Sequence, residues 1–329
     1  MACPAYGSSS GVSIYYAVDA DPDAALSGVT WNEVPFTSDS LAGNLTSSQS
    51  ERITAARAYA GSAITAGEVS GSLGFETEAN AFMNTMIQAA LQSATAPGTV
   101  TNGSTPMCLA FLKSVKRGSG YDFYVFRGVQ VDSMSFNVSP GSFITGELNL
   151  QGTRMGAGAL GAGGGANDVL TSAPGTLVPY TSGNIMSSVF AIQDLEVQDD
   201  AGVDIGIIAR ELSLTLSNQL RQQQAIGTGT PFAAGIASGR FMAAASLEAY
   251  YSGPEIVNAM FNDEELKLTF NLVDPDGKGW SFLMDKCKIT SSPPPMAEGP
   301  DQDLMASTEV QGFESATNGT IKITKLGTW

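Results

Sequence analysis

The sequence predicts a mainly β protein with few helices, and three observations carry that prediction. Several stretches alternate apolar and polar residues with a period of two, only two stretches have helical spacing, and turn residues punctuate the alternating runs.

In chain order, Val69, Gly71, Leu73 and Phe75 first alternate with Ser70, Ser72, Gly74 and Glu76. Residues 79–91 then place Phe82, Met83, Met86, Ile87 and Ala90 on one helical stripe. Ile144, Leu148 and Leu150 alternate with Thr145, Glu147 and Asn149, and a low-complexity glycine-rich stretch follows at 156–165. Leu212, Leu214 and Leu216 alternate with Glu211, Ser213, Thr215 and Ser217. A shorter helix is expected over 255–261, where Pro254 suits the first turn. Leu266, Leu268, Phe270 and Leu272 then alternate with Glu265, Lys267, Thr269 and Asn271. Each strand has one apolar and one polar face, as antiparallel sheets with one wet side do. Asp199-Asp200-Ala201-Gly202 and Asp274-Pro275-Asp276-Gly277 read as turns.

A chain of 329 residues can bury a sizeable core and has room for two domains. Only 15% of its residues are charged, against roughly 25% in ordinary soluble domains. That scarcity fits a surface buried against other subunits, and it equally fits a neutral surface of Ser, Thr and Gly. The remaining charge is lopsided, 32 acidic residues to 16 basic, net −16. Such a balance argues against nucleic-acid binding, since tight binding needs Lys and Arg to displace counterions from phosphate. There is no histidine, so the commonest general base and metal ligand is missing. Cys3, Cys108 and Cys287 are scattered and form no CxxC pair, as expected of reduced thiols made in a cytoplasm. The N-terminal region has no basic segment followed by an apolar one, and no stretch approaches eighteen apolar residues. Neither signal-peptide export nor a membrane span is expected. The sequons at Asn44, Asn102 and Asn318 read as turns.

The two halves share an ordered series of matches. Leu45-Thr46, Ser48 and Arg52 recur as Leu214-Thr215, Ser217 and Arg221; Ser72-Leu73, Asn84 and Met86 recur as Ser246-Leu247, Asn258 and Met260. Phe123 and Gln151-Gly152 recur as Phe282 and Gln311-Gly312. Their shared order points to an internal duplication. The expected division is a first β-domain over 1–160, a glycine-rich joint over 161–175 and a second β-domain over 176–329.

Two stretches resemble the tail tube proteins of long-tailed, siphovirus-type bacteriophages. One is Thr30-Trp31-Asn32-Glu33-Val34-Pro35-Phe36-Thr37-Ser38-Asp39-Ser40-Leu41, leading into 46–57, and the other is the strand, turn and returning strand over 123–152. Residues 210–220 and 242–261 also fit, so the resemblance spans nearly the whole chain; the glycine-rich insert departs from it. The resemblance implies two tandem β-sandwich or barrel domains, each with a flanking helix, similar to type VI secretion tube subunits. It implies a structural subunit of a hollow tail tube that is not an enzyme and uses no cofactor. Implied partners are further copies of the chain, the tape measure protein and transiting DNA in the lumen, and tail terminator and baseplate or tip proteins. The implied location is the virion tail, assembled in the host bacterial cytoplasm, with no membrane partner.

In such tubes four strands from each of six domains line the bore. Roughly 24 strands about 4.8 Å apart, tilted about 40°, give a circumference of roughly 150 Å. The bore is then about 35–40 Å after side chains, wide enough for duplex DNA. Carboxylates and hydroxyls facing it would repel phosphate and let DNA slide. The expected lumen-facing residues are Glu76, Thr145, Glu147, Asn149, Glu248 and Glu309, and an ordinary solvent-facing sheet surface is the alternative. Glu147 and Glu309 fall in corresponding regions of the halves, and the duplication predicts rings of three chains with approximate six-fold symmetry.

Other functions would rest on particular residues. Asp19, Asp21 and Asp23 have a spacing that can hold Ca²⁺, but lack the Gly and distal Glu of a calcium loop, so a capped turn is expected. Asp199, Asp200 and Asp204 bracket a hairpin. Neither 156–165 nor 227–239 has the Gly-Lys-Ser/Thr of a phosphate loop. A soluble adhesion or carbohydrate-binding module would expose aromatic platforms, for which Trp31, Trp280 and Trp329 are the tryptophans available. A tail terminator or decoration protein is the remaining alternative.

Overall fold

The structure, a computed structural model, describes residues 11–22, 28–52, 61–93, 98–118, 120–156, 169–170, 172–199, 202–226, 229–294 and 303–328. The first half carries β1 (Val12–Val18), β2 (Val29–Glu33), β3 (Ser38–Asp39), β4 (Ala42–Gln49), β5 (Ser62–Glu76), α1 (Ala81–Ala90), β6 (Thr99–Thr101), β7 (Leu109–Arg117), β8 (Gly120–Val138), β9 (Thr145–Gly152) and β10 (Arg154–Met155). After it come β11 (Gly175–Val178), β12 (Ile192–Gln198), β13 (Ile208–Ser217), β14 (Arg221–Gln223), β15 (Gly235–Ala237), β16 (Met242–Tyr250), α2 (Glu255–Phe261), β17 (Leu266–Val273), β18 (Gly279–Ser291), β19 (Met305–Gly312) and β20 (Lys322–Leu326). The fold is mainly β, and the two helices fall where the helical spacing places them. Asn80 caps α1, its Oδ1 accepting from the Met83 N–H at 2.8 Å. Pro254 sits one residue before α2, at a position that has no intrahelical N–H to lose.

Eight strands form one antiparallel run in the order β4–β5–β9–β8–β13–β16–β19–β18. β8 and β18 enter it only with their C-terminal parts. The N-terminal part of β8 belongs to a second layer, β11–β2–β1–β7–β8–β10, in which only the β11–β2 pair is parallel. The N-terminal part of β18 likewise joins β12–β17–β18–β20–β6. Apolar residues of β5 and β9 (Leu73, Phe75, Leu148, Leu150) pack with Ile14, Phe111, Met83 and Met86 from the second layer and α1.

The same series of pairings occurs twice. β1, β4, β5, α1, β7, β8 and β9 stand to one another as β12, β13, β16, α2, β17, β18 and β19 do. Register shifts recur at the same steps: between Val131 and Ser133 against β9 and between Ile289 and Ser291 against β19. A second pair lies between Leu109 and Phe111 and between Leu266 and Leu268. A bulge bends its strand, and these bulges lie where each long strand passes between layers. Three of the sequence matches sit at corresponding positions: Ser72-Leu73 with Ser246-Leu247, Asn84 and Met86 with Asn258 and Met260, and Gln151-Gly152 with Gln311-Gly312. Two do not. Leu214 faces Ala245, and the residue against the corresponding Gly71 is Leu41 rather than Leu45. Phe282 lies opposite Phe270, and its counterpart is Tyr124, opposite Lys113, one residue from Phe123. Because the bulges recur at the same steps, they do not shift one half against the other; these two identities lie four residues and one residue out of register.

The core runs through both halves. Phe75 meets Phe136 edge-on at 5.9 Å between ring centroids, Phe136 meets Phe282 at 5.5 Å, and Phe282 stacks on Phe270 at 4.8 Å. Residues 157–165 of the glycine-rich stretch lie outside the described residues. Residues 170 and 172–186 pack on the first half. Leu170 and Phe123 exchange backbone hydrogen bonds of 2.8 and 3.1 Å. Trp31 Nε1 donates to the Pro174 carbonyl at 3.3 Å. The Tyr180 hydroxyl and the Gly183 N–H both donate to the Glu78 carboxylate, and Met186 N–H donates to the Thr77 carbonyl at 2.9 Å.

Candidate functional site

The polar side of the eight-stranded run is assembled by alternation and register. Along β9, Gly146, Leu148 and Leu150 are buried while Thr145, Glu147 and Asn149 are exposed. Because directly paired residues share a face, the pairing carries that side across the sheet. Thr145 lies opposite Glu76 and Asn137, Glu147 opposite Gly74 and Ser135, and Asn149 opposite Ser72 and Ser133. The β8–β13 pairing continues it, with Asn137 opposite Ser213, Ser135 opposite Thr215 and Ser133 opposite Ser217. Beyond, Glu211 faces Glu248, Glu248 faces Ser307, and Ser246 faces Glu309.

All six residues singled out from sequence, Glu76, Thr145, Glu147, Asn149, Glu248 and Glu309, therefore lie on one face of one continuous sheet. Sequence reasoning left two further carboxylates off that set. Glu211 belongs to an alternating stretch already visible in the sequence, and Glu68 lies on the same side of β5 as Ser70 and Ser72, opposite Asn44. Glu147 and Glu309 are not counterparts: Glu147 corresponds to Ser307, and Glu309 to Asn149. One acid nevertheless occupies the same rung in each half, as Glu147 opposite Gly74 and as Glu248 opposite Ser307.

Hydroxyls and amides between the acids bond to each other across strands. Asn149 Nδ2 donates to Ser133 Oγ at 2.9 Å, Ser213 Oγ donates to Asn137 Oδ1 at 2.9 Å, and the Ser40 and Ser72 hydroxyls lie 3.1 Å apart. Among the described residues, two cations on or beside this face are held by acids. Arg210, at the bulge in β13, lies 3.8 Å from Glu248, and Lys288, opposite Gln311, puts its ammonium on Asp263 at 2.6 Å. The face is hydroxylated, amide-rich and net negative.

The other motifs resolve into structural roles. Asp19 is buried against Arg127, accepting at its Oδ1 from Nη2 at 2.7 Å and at its Oδ2 from Nε at 2.9 Å. Arg127 Nη2 also donates to the Asp21 carbonyl at 2.8 Å; Asp23 lies outside the described residues. Asp199 Oδ1 accepts from the Val203 N–H at 2.8 Å and Asp204 Oδ1 from the Gly206 N–H at 3.1 Å, both as turn caps; Asp200 lies outside the described residues. Within 227–239, residues 227–228 also lie outside, and Phe232 is buried against Gly67 and Leu45. Trp31 and Trp280 are fully buried, so neither is a platform; Trp329 lies outside the described residues. Among the described residues no group of three or more metal-ligating side chains occurs, and no helix is long and apolar enough to cross a membrane.

The sheet is apolar on one side and acidic on the other, and among the described residues β4 and the end of β18 each have a single partner, which leaves edges of a structural β protein that a further strand can pair with. A family model described as phage tail tube protein matches residues 9–312, nearly the whole chain. The chain belongs to that family, and it is a structural subunit of a phage tail tube, a virion component that self-assembles. Comparison with curated protein sequences gives no match. The family is one of structural tail proteins and is not known as enzymatic.

Proposed function

We propose that three chains close into a ring with true three-fold and approximate six-fold symmetry, and that stacked rings form the conduit for DNA of a siphovirus-type tail. The polar face of the eight-stranded run lines the bore, with Glu76, Thr145, Glu147, Asn149, Glu248 and Glu309, joined by Glu68 and Glu211, on the side that faces whatever passes. The observation that carries this reading is the β8–β13 pairing. It joins two corresponding four-stranded sheets edge to edge, so one chain already holds a third of a 24-stranded wall. The passage between the two tandem units falls near Ser188, after the segment that packs on the first half, instead of at 161–175. The tape measure protein occupies the lumen before DNA does, and tail terminator and baseplate or tip proteins cap the ends. Assembly takes place in the host bacterial cytoplasm.

Native mass spectrometry of dissociated rings, or helical reconstruction of purified tubes, tests the stoichiometry. Three chains per ring, each supplying two domains to the wall, is the expected result. Six chains per ring, each supplying one, overturns the trimer.

A further inference from the structure

The eight-stranded run ends in two unlike edges. Among the described residues, β4 is paired only with β5, and β18 beyond Cys287 only with β19. These edges have a finished counterpart inside the chain. β13 stands to β16 as β3 and β4 stand to β5, and the end of β8 stands to β9 as the end of β18 stands to β19. The β8–β13 pairing is therefore an internal example of how an end of β18 meets a start of β4.

Resting on the ring reading, we propose that β18 of one copy pairs antiparallel with β4 of the next copy, in the register that places Ser291 opposite Asn44. The register follows from counterparts. Ser133, opposite Asn149, corresponds to Ser291, opposite Glu309. Leu216, opposite Ala243, corresponds to Gly43, opposite Val69, so Ser217 corresponds to Asn44. Ser133 lies opposite Ser217 within the chain, which sets Ser291 opposite Asn44 between chains. Both residues are exposed, and Leu45 beside Asn44 is 44% exposed. Its counterpart Asn218 is 3% exposed, because β8 and α1 cover it.

This register also closes the ring geometrically. Moving along paired residues from Gly74 through Glu147, Ser135 and Thr215 leads to Ala244, four residues short of Glu248, the counterpart of Gly74. If every junction repeats that shift, the shear around the ring equals its strand number, about 24 for each. Equal shear and strand number give a tilt of about 35°. The wall is then roughly 140 Å around and about 45 Å across at the backbone. A slip of one residue would turn the polar face of one chain to the core side of the next.

The junction between chains differs from the internal one in its hydrogen bonds. The Asn218 N–H donates to the Asp132 carbonyl at 2.7 Å, so in the alternating antiparallel pattern Met134 and Phe136 exchange bonds with β13. Their counterparts are Ser292 and Pro294. Pro293 and Pro294 have no N–H, so the ladder stops after Ser292 and the free edge cannot extend it with a wrong partner. The covalent junction keeps the full ladder, and the assembling junction keeps a short one.

Asn44→Cys with Ser291→Cys tests the register. The internal equivalent is a non-hydrogen-bonded pair, where Cα atoms lie about 4.5 Å apart, within disulfide reach. Oxidised tubes of the double variant should run on a non-reducing gel as covalent rings of three chains, and neither single variant should. Preferential cross-linking of Ala42→Cys with Ser291→Cys, or intact tubes with no cross-link, overturns the proposed junction while the ring stands. If the double variant fails to assemble, helical reconstruction of unaltered tubes gives the register directly, and Ser291 away from Asn44 overturns the proposal. Unaltered protein that forms neither rings nor tubes overturns the ring reading and the junction together.

Discussion

Phe75 lies directly across from Gly146, and its ring occupies the space a side chain at 146 would need. A Cβ built on Gly146 meets Phe75 Cζ at 2.4 Å and the Ser135 carbonyl oxygen at 2.2 Å. The corresponding pair in the second half is Ala249 opposite Ala306. The large-small pair and the medium pair are two ways of filling one site in the repeat. Gly146→Ala should therefore destabilise the protein by about 1–3 kcal/mol through overpacking. Phe75→Ala alone should cost about 3–5 kcal/mol. Chemical denaturation of the double variant should show a loss smaller than the sum of the two, and strict additivity would mean that the residues do not compete for space.

Asp19 and Arg127 form a buried ion pair, 2% and 1% exposed, so neither charge is offset by water. Asp19→Ala leaves a buried guanidinium without its carboxylate and should lower stability by about 3–5 kcal/mol. Because Arg127 already occupies both Asp19 oxygens, millimolar Ca²⁺ should leave the melting temperature of the unaltered protein unchanged. A calcium-dependent rise in melting temperature would show that the carboxylate is free to bind a cation.

Burial pushes the Cys287 thiol up to about 12, and its Sγ–H donates to the Leu266 carbonyl at 3.1 Å. Unfolding restores an ordinary thiol near about 8.5. The folded state then holds a proton that the unfolded state releases, so this contribution to stability is intact below about 8.5 and declines as the pH rises towards about 12. Val129 fills the corresponding position in the first half, which makes Cys287→Val the fitting control. Denaturation midpoints measured from pH 8 to 10.5 should fall less steeply for Cys287→Val than for the unaltered chain. Parallel slopes would show that the thiol does not titrate differently in the two states.

The β class, both helices and the polar faces were legible because each rests on local periodicity. Glu147, Leu148 and Asn149 declare their sides through their immediate neighbours. The pairing of β8 with β13 was not legible, since nothing near Ser135 specifies Thr215 as its partner. Residue identity alone hid the register: Phe123 matches Phe282 by type, whereas the pairing makes Tyr124 the counterpart of Phe282. The same limitation made Glu147 and Glu309 look equivalent when they stand one rung apart. The attachment of residues 170 and 172–186 to the first half depends on Trp31, Thr77, Glu78 and Phe123, which lie far away in sequence.

The charge of the polar face should govern how DNA moves past it. Glu147 and Glu309 are both exposed, and among the described residues neither lies in a salt bridge. In a three-chain ring they form two circles of three carboxylates, offset by two residues, or about 7 Å along the strands. Glu147→Lys with Glu309→Lys replaces both circles with ammonium groups on an otherwise hydroxylated wall. Neither side chain touches the core, so tubes should assemble normally. DNA phosphates would then exchange condensed counterions for protein cations, and passage should slow several-fold at low salt. Screening shortens to about 3 Å near 1 M salt, so the defect should shrink as salt is added. Glu147→Gln with Glu309→Gln separates loss of acid from gain of base and should leave the rate close to that of the unaltered tube. Ejection timed by a DNA-binding dye across a salt series reads all three. Lysine tubes that release DNA at the unaltered rate and with the unaltered salt dependence would place these residues outside the bore.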